Sequence, residues 1–214
     1  MIVRTLSERV FETLRDDIVA GRLGTGTPIR QDALAANLGV SKIPVREALA
    51  RLEQVGLLTS RTNRGYAVPP MSRAQLDDIF ALRLAVEPRA AAYAAGAADE
   101  AARRSAVAAL ARLSTLRRGD SGQLAAATRE FHAALVDAGN RPLATQLVSR
   151  LLMLAERYLT ACLPRSALGE GAARHNQALL KAWLARDAQR VERLLTRQLE
   201  DTIGILGRRF KAPP

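Results

Sequence analysis

The chain of 214 residues has little cysteine, few aromatic residues and no long apolar run. Its one cysteine, Cys162, excludes an internal disulfide framework and has no second thiol with which to bind metal. Aromatic residues make up 4% of the chain, which is too few to favour nucleic-acid binding through stacked bases. No apolar run approaches the roughly 20 residues of a membrane span, and the N-terminus lacks a signal-peptide pattern. We therefore expect a cytoplasmic protein without a membrane partner.

The net charge of +11 favours a polyanionic partner, because Lys and Arg gain affinity by releasing counterions from phosphates. Residues 1–71 hold 10 basic and 7 acidic residues, whereas residues 72–214 hold 22 and 14. The excess is mostly C-terminal, so charge alone does not locate a DNA-binding surface.

The first 70 residues show the pattern of three helices followed by a hairpin. The first helix ends at Gly21 and is predicted by apolar residues spaced four apart: Leu6, Val10, Leu14 and Ile18. Glycines and Pro28 predict a turn before a short helix at about residues 31–37. Ser41 is a good N-cap for a third helix, which ends at Gly56. The runs LLTS and GYAV flank RTNR and predict two short strands around a turn.

Pro69 and Pro70 form a stiff joint, and we place a domain boundary there, between residues 1–70 and 71–214. After the joint the pattern is helical throughout. Turn-forming residues interrupt it at 96–99, 119–122, 139–142, 164–171 and 186–187. The predicted fold class is therefore mainly α: an N-terminal winged helix-turn-helix followed by a six-helix antiparallel bundle.

The third predicted helix has the layout of a DNA recognition helix. Its apolar residues share one side, and the opposite side holds Lys42, Ile43, Arg46 and Glu47 near the N-terminus. Taken alone, such a face is most often ordinary solvated surface. The hairpin favours the DNA-binding interpretation, because a basic turn at its tip can reach a neighbouring minor groove. That turn contains Arg61, Asn63, Arg64 and Gly65.

The sequence LAANLGVSKIPVREALARLEQVGLL, followed by RGYAV, resembles the DNA-binding domain of GntR-family regulators over nearly all of residues 5–68. The resemblance implies DNA contacts at Ser41, Lys42, Pro44, Arg46, Arg64 and Gly65. The family also often places a basic phosphate contact near Arg30. Lys42 stands where Arg is common, which keeps the charge but loses bidentate geometry toward guanine. Ile43 replaces a residue that is usually polar or small.

Polar residues on apolar stripes are informative in a helical bundle, because burying them unpaired costs free energy. Arg83 and Glu87 lie one turn apart on the inward stripe of the first helix of the bundle, where an internal ion pair and ligand binding are equally good interpretations. Thr128 and His132 border the stripe of the third helix.

Two more polar residues lie on apolar stripes of the last two helices. His175 aligns with Leu179 and Trp183, and Gln198 aligns with Leu194, Leu195 and Thr202. A single inward histidine is most often a satisfied core residue. Two histidines on different helices of one bundle favour a shared polar cavity.

Three further segments resemble the ligand-sensing FCD domain found in the FadR-type branch of the GntR family: LDDIFALRLAVEPRAAAYAA, TREFHAALVDAGNRPL and ARHNQALLKAWLARDAQRVERLLTRQLED. Many members of that branch bind a divalent metal through one Asp and three His. The matching positions here are Thr128, His132, His175 and Gln198. Thr and Gln are weak neutral ligands, so His132 and His175 form an incomplete metal set. We expect no cofactor, and a divalent metal is the less favoured alternative.

Together these observations predict a homodimeric transcriptional regulator, a repressor, that binds a palindromic operator in double-stranded DNA. A small carboxylate effector is expected to bind the polar residues of the bundle: Arg83, Thr128, His132, His175 and Gln198. The alternatives are a metal-responsive regulator and an architectural DNA-binding protein without an effector. We do not expect an enzyme, because the sequence has no recognisable nucleophile and base arrangement and no Gly-rich phosphate loop.

Overall fold

The computed structural model describes residues 5–61, 65–116, 121–163 and 170–210. The chain divides into two compact units, Met1–Pro70 and Met71–Pro214. The described residues form nine helices and one small sheet, which confirms the predicted mainly α fold class. None of the described helices is both long enough and apolar enough to cross a membrane.

The N-terminal unit consists of three helices and three short strands. Its elements are α1 (Leu6–Val19), β1 (Pro28–Ile29), α2 (Gln31–Leu38), α3 (Lys42–Val55), β2 (Thr59–Arg61) and β3 (Gly65–Ala67). Helix α1 begins with a capping box, in which Thr5 and Glu8 each accept a hydrogen bond from the other's backbone N–H. Helices α2 and α3 end at Gly39 and Gly56, whose positive φ angles allow the chain to turn away.

The core of the N-terminal unit lies where α1 packs against α3. It contains the buried residues Val10, Leu14, Ile18, Val45, Leu49 and Leu52. Leu6, predicted on the same stripe of α1, is the first residue of the helix and is 43% exposed. The outer face of α3 is thereby held in a fixed orientation within this unit.

The sheet has the order β1-β3-β2, and both pairings are antiparallel. The hairpin of β2 and β3 agrees with the sequence pattern. Strand β1 was not predicted, because a strand of two residues is too short to show an alternating pattern. The hairpin is thus anchored on a third strand that directly precedes α2.

The described residues of the C-terminal unit form a bundle of six helices, as predicted. They are α4 (Arg73–Ala97), α5 (Glu100–Thr115), α6 (Ser121–Asp137), α7 (Pro142–Cys162), α8 (Glu170–Leu184) and α9 (Ala188–Arg209). Helix α4 packs against α9, α7 and α6, and α6 packs against α5 and α7. Helices α4, α6 and α7 therefore all pack against one another.

Two buried aromatic residues of the bundle join helices by hydrogen bonds. The Trp183 indole N–H on α8 donates to the carbonyl of Leu135 on α6 at 3.1 Å. The Tyr158 hydroxyl on α7 donates to Gln75 Oε1 at 2.8 Å and accepts from the backbone N–H of Ser72 at 3.1 Å. Because buried polar groups that find partners fix the packing around them, these contacts hold α4, α6, α7 and α8 in register.

Candidate functional site

The N-terminal end of α3 presents an exposed polar face. Ser41, Lys42 and Arg46 are exposed, whereas Val45 and Leu49 beneath them are completely buried. Lys42 Nζ lies 3.0 Å from a carboxylate oxygen of Asp32 on α2, and both side chains are largely in solvent. The cations of α3 are thus available to a groove of DNA, as a recognition helix requires.

Pro44 differs from its neighbours on α3, because it is buried. Proline is compatible with this position in the first helical turn, since the backbone N–H that it lacks would have no partner within the helix. The structure therefore gives Pro44 a packing role beneath the exposed face, and a direct DNA contact at Pro44 stays a prediction.

The remaining predicted DNA contacts lie around the sheet. Arg30 is exposed and directly precedes α2. Arg61 is exposed at the end of β2, while Asn63 and Arg64 lie outside the described residues. Gly65 has a φ of +78°, and a Cβ atom there would lie 2.6 Å from the carbonyl oxygen of Ile29. Glycine is therefore required at residue 65 for the close approach of β3 to β1, whether or not the residue also contacts DNA.

Three polar side chains form a buried cluster between α4 and α6. Arg83 Nε and Nη2 donate to the Glu87 carboxylate at 2.7 and 3.2 Å, and Glu87 Oε1 lies 2.6 Å from Nδ1 of His132. The three residues are at most 3% exposed. The sequence left two interpretations of Arg83 and Glu87 open, an internal ion pair and ligand binding. They are compatible, because the ion pair forms and Arg83 also lines a cavity.

The carboxylate of Glu87 is the charged centre of this cluster. Burial would by itself raise the pKa of Glu87, but the Arg83 guanidinium and the hydrogen bond from His132 outweigh burial and lower the pKa to about 2. Glu87 is thus an anion at neutral pH and can only accept hydrogen bonds. It follows that Nδ1 of His132 carries the proton that is shared with Glu87.

A cavity of about 540 Å³ adjoins the cluster, within the size range of small-molecule sites. The structure brings together around it the five residues predicted to bind a ligand: Arg83, Thr128, His132, His175 and Gln198. Its apolar lining consists of Leu152, Leu159, Leu163, Leu199 and Ile205. The buried Nε2 of His132 has no hydrogen-bond partner among the described residues. An unsatisfied buried nitrogen beside a cavity is a feature that a bound molecule can satisfy.

Two of the polar lining residues already donate a hydrogen bond within the protein. Thr128 Oγ1 donates to the backbone carbonyl of Leu124 at 2.8 Å. Gln198 Nε2 donates to Oδ1 of Asn176 at 2.9 Å. Their oxygen atoms remain as hydrogen-bond acceptors, and Gln198 keeps a second N–H as a donor. These two residues can therefore bind a ligand that donates hydrogen bonds, and Gln198 can also bind one that accepts them.

His175 lies at the cavity but is exposed, which corrects the prediction that it faces the core. The residue of α8 that turns inward at this level is Asn176, which is 1% exposed. Asn176, Leu180 and Trp183 are spaced four and three apart, and this stripe describes the buried face of α8 better than the stripe through His175. That spacing is the sequence signal by which Asn176 could have been found.

Arg129 and Glu156 form a second ion pair beside the cavity, which no sequence pattern predicts. Arg129 Nε donates to Glu156 at 2.8 Å, and the Glu156 side chain is 3% exposed. Arg129 lines the cavity from α6, and Glu156 lies on α7. No local pattern links two residues that are 27 positions apart, so only the packing of α6 against α7 could reveal the pair.

The donor set does not fit the divalent metal that the FCD resemblance implies. In the described part of the chain, no three His, Cys, Asp or Glu residues are grouped closely enough to hold a metal ion. Thr128 and Gln198 are neutral and engaged with Leu124 and Asn176. Two imidazoles would leave a divalent ion under-coordinated and its charge uncompensated. We therefore assign no role to a metal.

A winged helix with an exposed basic recognition helix, together with a helical bundle around a small-molecule-sized cavity, defines a type of DNA-binding regulator. Comparisons with known proteins agree. Residues 6–68 match the model of bacterial regulatory proteins of the gntR family, and residues 78–201 match the FCD domain. The chain belongs to the GntR family of transcriptional regulators and carries an FCD domain. It is a regulator rather than an enzyme.

Individual relatives resemble the whole chain. The uncharacterized HTH-type transcriptional regulator BphR of Paraburkholderia xenovorans is 34% identical over 213 residues, which cover 95% of this chain and 86% of BphR. The HTH-type transcriptional repressor GlaR of Escherichia coli is 28% identical, covering 92% of this chain and 93% of GlaR. The solved structure of E. coli McbR/YncC has a TM-score of 0.83 at 25% identity, covering 98% of this chain and 100% of that one.

Proposed function

We propose that this regulator is a homodimeric repressor that releases a palindromic operator when a small organic acid binds the C-terminal cavity without a metal. The observation that carries the proposal is the cavity itself, with Arg83 and the unpartnered Nε2 of His132 beside leucine side chains. A twofold dimer that carries two winged helices suits two inverted half-sites. Repression is supported by GlaR, which is named as a repressor.

The charges around the cavity favour a carboxylate with a single charge. Glu87 occupies Nε and Nη2 of Arg83, so Nη1 is the guanidinium nitrogen without a hydrogen-bond partner in the described chain. A ligand carboxylate can accept from it. Three exposed charged residues, Glu200, Asp201 and Arg208, also line the cavity, and their net charge of −1 opposes anions of higher charge. An amphipathic monocarboxylate is therefore the best match to the lining.

The operator can be obtained by selecting binding sites for the full-length protein from random double-stranded DNA. We expect an inverted repeat whose half-sites lie about one helical turn apart, or a multiple of it. Binding to the selected site is then measured by fluorescence anisotropy, with and without a panel of aliphatic and aromatic monocarboxylates. An effector should weaken operator binding by about 5-fold to 150-fold, the usual range of coupling between two sites.

Variants of the cavity distinguish between two hypotheses: a regulator that responds to an effector, and a DNA-binding protein without an effector. We expect His175→Ala, at an exposed position, to reduce the response to the acid while leaving operator binding by the free protein unchanged. Arg174→Ala removes an exposed neighbour that is not part of the lining and serves as the control. If acids bind the protein without changing operator affinity, the effector proposal fails. If a divalent metal is needed for the response, the metal-responsive alternative replaces it.

A further inference from the structure

We infer that Ile43 contacts the C5-methyl group of a thymine in the operator, and that it thereby requires thymine at one position of each half-site. Ile43 is the second residue of α3 and is 60% exposed. It is not one of the predicted DNA contacts. The inference rests on operator binding by α3 and is independent of the cavity and its effector.

The orientation of Ile43 is fixed by its neighbours in α3. Pro44 and Val45 are the next two residues and are buried, Val45 in the core between α1 and α3. Ile43 therefore lies on the opposite side of the helix, away from the core. Arg46 and Glu47, three and four positions further along, lie on the same side and are exposed. An apolar side chain thus lies among charged ones, at the end of the helix that enters the major groove.

The major groove offers one apolar group to such a side chain. Isoleucine has no side-chain donor or acceptor, so Ile43 cannot recognise the polar edge of a base as Arg46 can. Thymine is the base that presents a methyl group in the major groove, and the minor groove presents none. Contact between Ile43 and this methyl group removes apolar surface of both partners from water. Over a guanine or a cytosine, Ile43 would instead cover polar atoms, which would lose water without gaining a partner.

The charges beside Ile43 favour DNA over an apolar protein surface as its partner. Lys42 directly precedes it, Arg46 follows one turn later, and both cations are exposed. The phosphates along a groove can neutralise these cations, whereas an apolar surface would desolvate them at a cost in free energy. Because isoleucine is branched at Cβ, Ile43 also has few side-chain rotamers to lose when it makes the contact.

The test removes the methyl group without changing the hydrogen-bonding atoms of the base. In the operator selected for the full-length protein, each thymine of one half-site, on either strand, is replaced in turn by uracil. Binding is measured by fluorescence anisotropy. We expect the replacement at one position to weaken binding about fourfold, which is the effect of exposing one buried methyl group.

Cytosine allows the converse measurement at the same position. Replacing the T·A pair by C·G removes the methyl group and changes the polar edge, whereas 5-methylcytosine restores the methyl group alone. The operator with 5-methylcytosine should therefore bind about fourfold tighter than the operator with cytosine. Equal binding of the two operators would contradict the inference.

Two serine variants assign the effect to a residue. Ile43→Ser removes the apolar side chain at an exposed position, so the ratio of the affinities for the thymine and uracil operators should fall to about one. Leu6→Ser removes another exposed apolar side chain of the same unit, 43% exposed at the start of α1, and should preserve the ratio. A smaller folded fraction lowers both affinities by the same factor, so the ratio stays informative even if a variant is less stable.

The outcomes separate this inference from the proposed function. If no thymine responds to the loss of its methyl group, or if the response is as large in Ile43→Ser as in the parent protein, the inference is wrong and operator binding remains. If selection yields no preferred DNA sequence, the inference and the proposed operator fail together. The measurements contain no organic acid, so a failure of the proposed effector does not affect them.

Discussion

Two ion pairs show how differently the two units of this regulator use charge. In the N-terminal unit, Lys42 lies 3.0 Å from Asp32 with side-chain exposures of 68% and 74%. In the C-terminal unit, Arg83 lies 2.7 Å from Glu87 with exposures of 4% and 0%. The exposed pair contributes little free energy and can be exchanged for a phosphate contact. The buried pair has lost its hydration, so its members depend on each other and on His132.

The difference suggests that the exposed cations of α3 can exchange their ion-pair partners, whereas the buried cluster of the bundle has a fixed geometry. We expect the cations of α3 to change partners when DNA binds, because water screens their charges in both states. The cluster of α4 and α6 keeps its geometry, because separating Arg83 from Glu87 would leave two buried unpaired charges. A ligand that binds the cluster meets donors and acceptors that are already oriented, which lowers the entropy cost of binding.

The strongest test of this comparison is Glu87→Ala. The substitution leaves Arg83 and His132 buried without their shared acceptor, and we expect the free energy of unfolding of the C-terminal unit to fall by about 3–5 kcal/mol. Urea denaturation measures it. Asp77→Ala on the same helix breaks the i,i+4 pair with Arg73, whose side chains are 54% and 47% exposed, and should cost less than about 1 kcal/mol. Equal losses in the two variants would show that burial does not matter here.

Lowering the pH should remove the stabilisation that Glu87 provides, without a mutation. Burial alone would raise the pKa of Glu87, but Arg83 and His132 hold it at about 2, below the ordinary value of 4.5. A carboxyl group with a lowered pKa stabilises the folded state fully above its unfolded pKa. The stability is then lost as the pH falls from about 4.5 toward 2, by about 3 kcal/mol in all. The loss should be smaller in Glu87→Gln, and urea curves of both proteins at several pH values measure it.

Gly65→Ala tests whether the wing hairpin depends on close backbone contact. The added Cβ would lie 2.6 Å from the Ile29 carbonyl oxygen, and φ is +78°. We expect a loss of about 2–3 kcal/mol in the N-terminal unit and weaker operator binding. Gly26→Ala is the control, because its φ is also +78° and no atom lies within 4 Å of the added Cβ. Matching losses would mean that φ alone, and not the contact with β1, requires glycine.

The surface of α3 could be largely predicted from sequence, because it depends on local spacing. A helix with Val45 and Leu49 in the core must expose Lys42 and Arg46 on the other side. The short strand β1 was missed, because only its pairing with β3 makes it a strand.

The cavity could be predicted only in part. Residues four apart on one helix, such as Arg83 and Glu87, are neighbours by helix geometry alone. Their contact with His132, 45 residues away, and the pairing of Asn176 with Gln198 depend on how whole helices pack. The orientation of α8 about its own axis determines whether His175 or Asn176 is buried. Amphipathic patterns do not determine that orientation to within one residue.

Arg46→Ala sharpens the comparison at the DNA-binding surface. Arg46 is exposed on α3, so its removal should leave stability within about 0.5 kcal/mol of the parent protein. Operator binding should weaken by about 1–3 kcal/mol if Arg46 contacts a base edge. Arg22→Ala removes the same charge from an exposed residue that pairs with Asp17, and should weaken binding much less. Similar losses in both variants would indicate that only net charge matters.

The smallest expected effect concerns Asp32→Asn. Asp32 holds Lys42 in the free protein and repels DNA phosphates, so its neutralisation should strengthen operator binding by about two- to fivefold at low salt. The gain should vanish as the salt concentration rises, because both charges are exposed. It should also be smaller in a Lys42→Ala background, whereas Asp16→Asn on α1 should have little effect. If the gain is the same with and without Lys42, the aspartate acts only by repelling DNA, and the exchange of partners by Lys42 is refuted.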